Sequence, residues 1–510
     1  MDPETIHRRR WIILGIMSLS LVITLLNNVT VNVALPELSK DLGADNTELQ
    51  WIMDAYVVVF GGLLLVMGAF GDRFGRRHAL LAGLAIVGLV SALTAQYAST
   101  SEQVIGARAM MGLGAALVMP ATLSVIVVVF PPEERGKAVG VWVGMAGVGA
   151  PLGLLVGGWA VESFDWRAVF WINPPIIALA MMLNILLVPN SRDERERPMD
   201  PMGAALSVAA LGSVLYAIIE GPSLGWTSPE VLGLGAIGMI LVFVFVRWER
   251  RTEHPMLPME FFRNRGFSLG LIAISLAFFV MFSFMFTQML HFQLVREKSA
   301  FEAALRFLPL PLGLMPSAAF SDKLCERFGN NNVVSVGLAI IGTAMLIFTS
   351  VDVGTTYETL ALIFFLIGVG MGLTMAPSTT MVMDSIPHDK AGVGSATNDA
   401  SREVGGAFGI AIVGSAVNEI YQREMVVPSG LESHSGVVSE SFPAAIRIGN
   451  ELVAQGNMLG MELIDNAQLA FVEGMTGAAA ISALVAIVNA VLVKLYMPKR
   501  SVSEAEGSAV

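Results

Sequence analysis

Residues 68–77 read GAFGDRFGRR, one acid and three arginines set among three glycines. Before them, residues 51–67 read WIMDAYVVVFGGLLLVM, and after them residues 79–95 read ALLAGLAIVGLVSALTA. Each flank is close to the ~20 apolar residues that a helix needs to cross a hydrocarbon layer of about 30 Å. A knot of charge between two such runs is a turn at a membrane face: glycine lets the chain reverse, and arginine holds the turn in the polar layer.

The whole chain has this texture. Of its 510 residues 54% are hydrophobic and 14% charged, against about 25% charged in soluble domains, and the mean hydropathy is +0.67. Apolar runs recur along nearly the full length, which describes a polytopic all-α membrane protein with no room for a separate soluble domain. A β-barrel would alternate apolar and polar residues in segments of about ten. The first apolar run, 11–33, is long enough to span and lacks a small-residue cleavage site, so it reads as the first span rather than a cleaved signal. Cys325 is the only cysteine and has no metal set around it. No GxxxxGK[ST] phosphate loop occurs, so uphill work would draw on an ion gradient or a partner.

Apolar runs separated by charged or Pro/Gly-rich breaks predict 14 spans: 11–33, 51–70, 79–98, 104–126, 138–160, 168–189, 201–220, 230–247, 267–290, 303–321, 333–351, 358–382, 394–417 and 474–496. With both termini cytoplasmic, most of the 31 Lys and Arg fall on the inner side, in HRRR (7–10), DRFGRR (72–77), SRDERER (191–197) and RWERR (247–251). The outer side is acidic. Its one long loop, 418–473, carries Glu419, Glu424, Glu432, Glu440, Glu451, Glu462, Asp465 and Glu473 against Arg423 and Arg447, and reads as a solvated connector or a partial cover over an exit path.

The order Gly68, Phe70, Asp72, Arg73, Gly75, Arg76, Arg77, Leu80 resembles the loop 2–3 signature of the major facilitator superfamily, where the turn is a cytoplasmic latch clamping one six-helix half against the other. FSDKLCERFG (320–329) is a weaker echo after another even-numbered span. The resemblance continues through LLNNVTVNVALPEL (25–38), VIGARAMMGLGAALVMPATLSVI (104–126), GVWVGMAGVGAPLGLLVGG (140–158), FDWRAVFWINPP (164–175) and AGVGSATNDASREVGGAFGIAIVGS (391–415), which look like segments of the 14-helix drug:proton antiporters. It implies a major facilitator fold of two six-helix bundles plus two inserted helices. The corresponding division is 1–190 for the first bundle, 191–260 for the inserted helices and linkers, 261–500 for the second bundle with its outer loop 418–473, and 501–510 for a cytoplasmic tail. The chain departs from the family where Asn27 replaces the usual acid, Met111 replaces a glutamine, and Pro151 is displaced from the Gly-Pro pairs.

Ionisable residues inside spans are costly and face a cavity or a partner. Asp54, Arg108 and Asn27 fall at similar depths and could form one polar cluster with Arg108 as counter-ion of Asp54. That pair is either a proton-sensitive switch or an inert ion pair. In span 13, Asp399, Arg402 and Glu403 project to one face. Two acids beside one arginine suit a proton or a cation, or else a self-neutralised structural network. Trp51, Tyr56 and Gln293 are cavity candidates, and Gly149, Gly153 and Gly157, at steps of four, are packing positions. The six histidines, His7, His78, His254, His291, His388 and His434, are scattered over loops and ends and make no catalytic set.

These readings describe a transporter and no enzyme, with no cofactor, metal or nucleic acid: a monomer in the cell inner membrane whose partners are lipid, protons and a small-molecule substrate. The leading expectation is a proton-coupled antiporter exporting amphipathic, cationic molecules by alternating access. The alternatives are an exporter or facilitator of a metabolite or lipid on the same fold, and a non-transporting scaffold or receptor.

Overall fold

A computed structural model describes residues 3–191, 200–386 and 391–499, and no strand occurs among them. Most of the basic stretch 191–197, the tail 501–510 and the side chains of Asp72 and Pro151 lie outside the described residues.

The first half consists of α1 (Pro3–Leu42), α2 (Asn46–Phe74), α3 (Arg76–Tyr97), α4 (Ser101–Val129), α5 (Pro132–Ser163) and a broken helix made of α6 (Ala168–Trp171) and α7 (Asn173–Leu187). Two further helices follow, α8 (Pro201–Leu224) and α9 (Pro229–Glu249). The second half holds α10 (Arg265–Leu290), extended by a π-helical turn at His291–Val295, then α11 (Ala300–Leu305), α12 (Pro309–Phe328), α13 (Asn330–Phe348), α14 (Tyr357–Asp384), α15 (Ala391–Glu424), the short α16 (Ser435–Glu440) and α17 (Phe442–Ala454), and α18 (Leu459–Tyr496). Among the described residues, twelve helical stretches are long and apolar enough to cross a membrane; α2 and α5 are not in that count.

Local chemistry sets the ends of these helices. Asp45 and Glu48 close a capping box at the start of α2, and the side chains of Thr100, Ser228 and Asn264 accept the first free N–H groups of α4, α9 and α10. Two predicted spans, 168–189 and 303–321, are interrupted. Prolines 174 and 175 sit in the first turn of α7 and Pro309 at the first position of α12, where a missing N–H is harmless but a continuous helix through the ring is not. The expected loop 418–473 is largely helical: α15 runs on to Glu424, α18 begins at Leu459, and α17 packs Phe442, Ala445 and Ile446 inward. Its polarity hid it from a search for apolar runs.

The two halves repeat. Gly75 ends α2 with φ 106° and Gly329 ends α12 with φ 84°, a backbone conformation that only glycine adopts without strain. Beside each, an arginine lies over a phenylalanine ring, Arg73 on Phe74 at 5.5 Å and Arg327 on Phe328 at 5.3 Å. The following helix pairs meet at reciprocal glycines. A Cβ on Gly83 would lie 2.5 Å from the Gly114 carbonyl oxygen, and one on Gly370 would lie 2.5 Å from that of Gly337. Backbones therefore touch at matching places in both halves, the close approach that small residues allow where lipid supplies no hydrophobic drive. Gly75→Ala should lower the melting temperature in detergent and the membrane yield. The new methyl must adopt the strained φ and also meets Asn190 Oδ1 at 2.8 Å; a yield and melting temperature equal to the parent would show that the turn tolerates another conformation.

Successive long helices alternate in direction, so the turns at Gly75 and Gly329 fall at the end that carries the chain termini, the terminal end. The loops 43–45, 98–100 and 296–299 fall at the opposite, distal end. The described contacts between the halves run from the middle of the bundle to the distal end. They include Asn46 with Asn418, Gln293 Nε2 donating to the Val33 carbonyl, Ser299 with Glu162, and Gly158 against Ala300 and Phe301.

Candidate functional site

Arg108, fully buried in α4, ties three helices of the first half together. Its Nε donates to the Ile52 carbonyl at 3.0 Å, its Nη1 donates to the Asn27 carbonyl at 3.2 Å, and its guanidinium lies 4.4 Å from the centre of the Tyr56 ring. Asn173 Nδ2, from α7, reaches both Asn27 Oδ1 at 3.3 Å and Ser91 Oγ at 3.1 Å. Asn27 and Arg108 therefore meet as expected from their depth, with Tyr56 inside the same half. Asn173 and Ser91 are two members that depth alone did not find, although each is an isolated polar residue in an apolar run.

Asp54 is not the partner of Arg108. The two form no ion pair, and neither oxygen of the completely buried Asp54 carboxyl has a hydrogen-bond partner. On a helix of 3.6 residues per turn, Asp54 lies about 40° around from Gln50 and about 20° from Gly61. Both neighbours face α15: Gln50 meets Ser415, and a Cβ on Gly61 would sit 3.5 Å from the Cβ of Glu403. On the other side of Asp54 on the wheel, Val58 and Trp51 face α8, so the carboxyl lies on the side of α2 that looks toward α15 and α8, away from the Arg108 cluster; the α2–α15 seam joins one helix from each half.

Across that seam α15 presents the second group of acids. Arg402 Nη1 lies 3.4 Å from Asp399 Oδ1, Nη2 donates to Thr379 Oγ1 at 3.3 Å, and the guanidinium lies 5.8 Å from the Phe278 ring centre. Asp399 and Arg402 keep 15% and 25% of their side-chain surface, whereas Glu403 is buried with Oε2 unpartnered. Arg402 pairs with Asp399, and Glu403, though near the same guanidinium, is the acid of the trio that forms no ion pair among the described residues. Toward the distal end the seam closes with neutral groups, Ser415 Oγ near Gln50 Oε1 at 3.5 Å and Asn46 Nδ2 donating to Asn418 Oδ1 at 2.9 Å.

The other expected positions are spread more widely. Gln293 spans the halves through the Val33 carbonyl at 2.9 Å. Trp51 turns away from the seam, with its Nε1 donating to Glu220 Oε1 of α8 at 3.1 Å. Gly149, Gly153 and Gly157 lie against Leu25, Leu26 and Thr30 of α1, where added methyls would approach within 3.3, 3.2 and 3.2 Å. At the turn, Gly68 packs on Pro120, Arg73 lies over Phe74, Arg77 Nη1 donates to the Val188 carbonyl, and the backbone N–H of Arg76 donates to the Ser191 carbonyl. Each of these contacts stays within the first half and its outgoing linker. His291, at the end of α10, is wholly buried in the π turn, 3.3 Å from both Gln288 Oε1 and Arg296 Nε.

Residues 17–410 match the family model of the Major Facilitator Superfamily. The chain is 31% identical over 487 residues to the multidrug efflux pump LfrA of Mycolicibacterium smegmatis, covering 95% of this chain and 96% of that protein. It is 30% identical over 469 residues to the methyl viologen resistance protein SmvA of Salmonella typhimurium, covering 91% and 93%. Among solved structures, a bacterial homologue of the human lysosomal transporter Spinster, in an inward-facing and unoccupied conformation, superposes with a TM-score of 0.70 at 16% identity over 96% of each chain.

Proposed function

Because the chain belongs to the Major Facilitator Superfamily, and is therefore a multi-pass inner-membrane transporter of small molecules rather than an enzyme, we propose that it exports amphipathic organic cations in exchange for protons. The observation that carries this reading is the seam. Two buried carboxyls, Asp54 and Glu403, sit on facing helices of opposite halves, each with an oxygen lacking a partner. Burying an ionised carboxylate without a partner is expensive, so opening and closing of such a seam is linked to gain and loss of a proton. Glu403, with Asp399 and Arg402, lies on the terminal-end side of the Ser415 and Asn418 contacts, where Glu403 packs against Gly61 of α2. There a cation and a proton compete for one acid, while Arg402 keeps Asp399 occupied. The chain's likeness to LfrA, a multidrug efflux pump, and SmvA, a methyl viologen resistance protein, supports a drug-export role.

In this reading α2 and α5 join the twelve apolar stretches to make fourteen crossings, with both termini in the cytoplasm and the distal end outside. In the same reading the 68–77 turn latches the halves when the terminal end closes. Cys325, four residues before Gly329 on α12, then faces the cytoplasm. An impermeant maleimide applied to intact cells should leave it unlabelled, with labelling appearing on permeabilisation; equal labelling in both would reverse the orientation. The export reading itself is tested by ethidium efflux from pump-deficient cells. Expression should speed efflux and an uncoupler should abolish the gain, whereas efflux that ignores the uncoupler would point to a facilitator.

A further inference from the structure

The helices α8 and α9, inserted between the two halves, have no counterpart in the repeat, and their contacts are uneven. Along its length α8 lies on α2: a Cβ on Gly62 would meet Val208 at 2.6 Å, one on Gly212 would meet Val58 at 3.9 Å, and Trp51 donates to Glu220. Its described side-chain contacts with α15 are different in kind and fall near the distal end. Ser415 Oγ donates to the Ile218 carbonyl at 2.8 Å, and beyond the end of α8 Trp226 Nε1 donates to Glu419 Oε2 at 3.0 Å. Ser415 is buried and also faces Gln50 at 3.5 Å, so one hydroxyl joins α15, α2 and α8.

We propose that α8 is a working part of the distal gate, carried by α2 and hooked to α15, with Ser415 as the positioning residue that must release the Ile218 carbonyl before the gate opens. The proposal rests on the alternating access of the halves set out above. Its consequence is specific. Breaking either α8–α15 bond should favour the distal-open state, whereas breaking the α8–α2 bond of Trp51 should not, since those two helices travel together.

The test uses the full chain in nanodiscs with Cys325→Ser and spin labels at Asp41→Cys and Arg423→Cys, on the exposed distal parts of α1 and α15. Electron–electron distance distributions are collected with and without ethidium at two pH values. Ser415→Ala should raise the ratio of long to short distances about fivefold, the weight of one net hydrogen bond, and the half-exposed Trp226→Phe about twofold. Trp51→Phe should leave the ratio unchanged. In transport, Ser415→Ala should change kcat while leaving KM within about twofold, since a gate bond does not touch the substrate. If the parent shows two distances and neither α15-directed variant alters their ratio, or if Trp51→Phe alters it equally, α8 is packing and not gate. If the parent shows a single distance under all conditions, the alternating-access reading falls, and the role of α8 with it. Should Ser415→Ala fail to fold, the rim residue Trp226 carries the same decision.

Discussion

Glu403→Gln is expected to reduce pH-gradient-driven uptake of an organic cation into inside-out vesicles to the level of vesicles lacking the protein. Glutamine keeps the size and the hydrogen-bonding capacity of the side chain but can neither take up a proton nor carry a negative charge. The carboxyl has no described partner on Oε2, so the substitution breaks no ion pair, and membrane yield should match the parent. Cation affinity should fall as well, because Asp399 is already held by Arg402 at 3.4 Å. Full driven transport at normal yield would remove Glu403 from the coupling scheme.

Asp54→Asn should give the opposite dissection. A neutral side chain in the α2–α15 seam removes the need for a proton at that position, so the distal seam should stay closed at every pH. Driven transport should be lost while cation binding from the terminal end survives, because Asp54 lies on the other side of the seam from Asp399 and Arg402. The readout is a pair of measurements on one preparation, cation binding in detergent and driven uptake in vesicles. Loss of both together would place Asp54 in the substrate site, and retention of both would make it structural. Asn27→Asp is a milder companion: a carboxylate beside Arg108, whose Nη2 is unpartnered, should be tolerated and should alter the pH dependence of transport.

Much of this architecture can be read from residue order. GAFGDRFGRR and FSDKLCERFG mark two turns that prove to be the same turn, down to an arginine over a phenylalanine before a left-handed glycine. Depth along a helix was also legible, and it brought Asn27 and Arg108 together. Direction around a helix was harder. Asp54 shares a level with Arg108, but its neighbours on the wheel, Gln50 and Gly61, point to α15, more than 300 residues away in sequence, and no local pattern announces that contact. The distal helices escaped for other reasons: the ends of α15 and α18 are too polar to register as apolar runs, and α17 is a 13-residue amphipathic helix too short to read as a span. His291 was passed over because it stands at the end of one, where a helix was expected to stop and instead continues by a π turn.

With Asn27 engaged through its carbonyl by Arg108 and through Oδ1 by Asn173, the first-half cluster is a neutral-plus-cation brace, and on the proposed reading the titrating work falls to Asp54 and Glu403. The central claim is the exchange of a cation for protons across the α2–α15 seam. Its most direct measurement places purified protein in liposomes with an entrapped pH dye, clamps the membrane potential with potassium and valinomycin, and adds ethidium outside. Obligatory exchange predicts that the lumen becomes more alkaline as the cation enters, with the change absent in Glu403→Gln. Ethidium entry with no change in lumenal pH would contradict it.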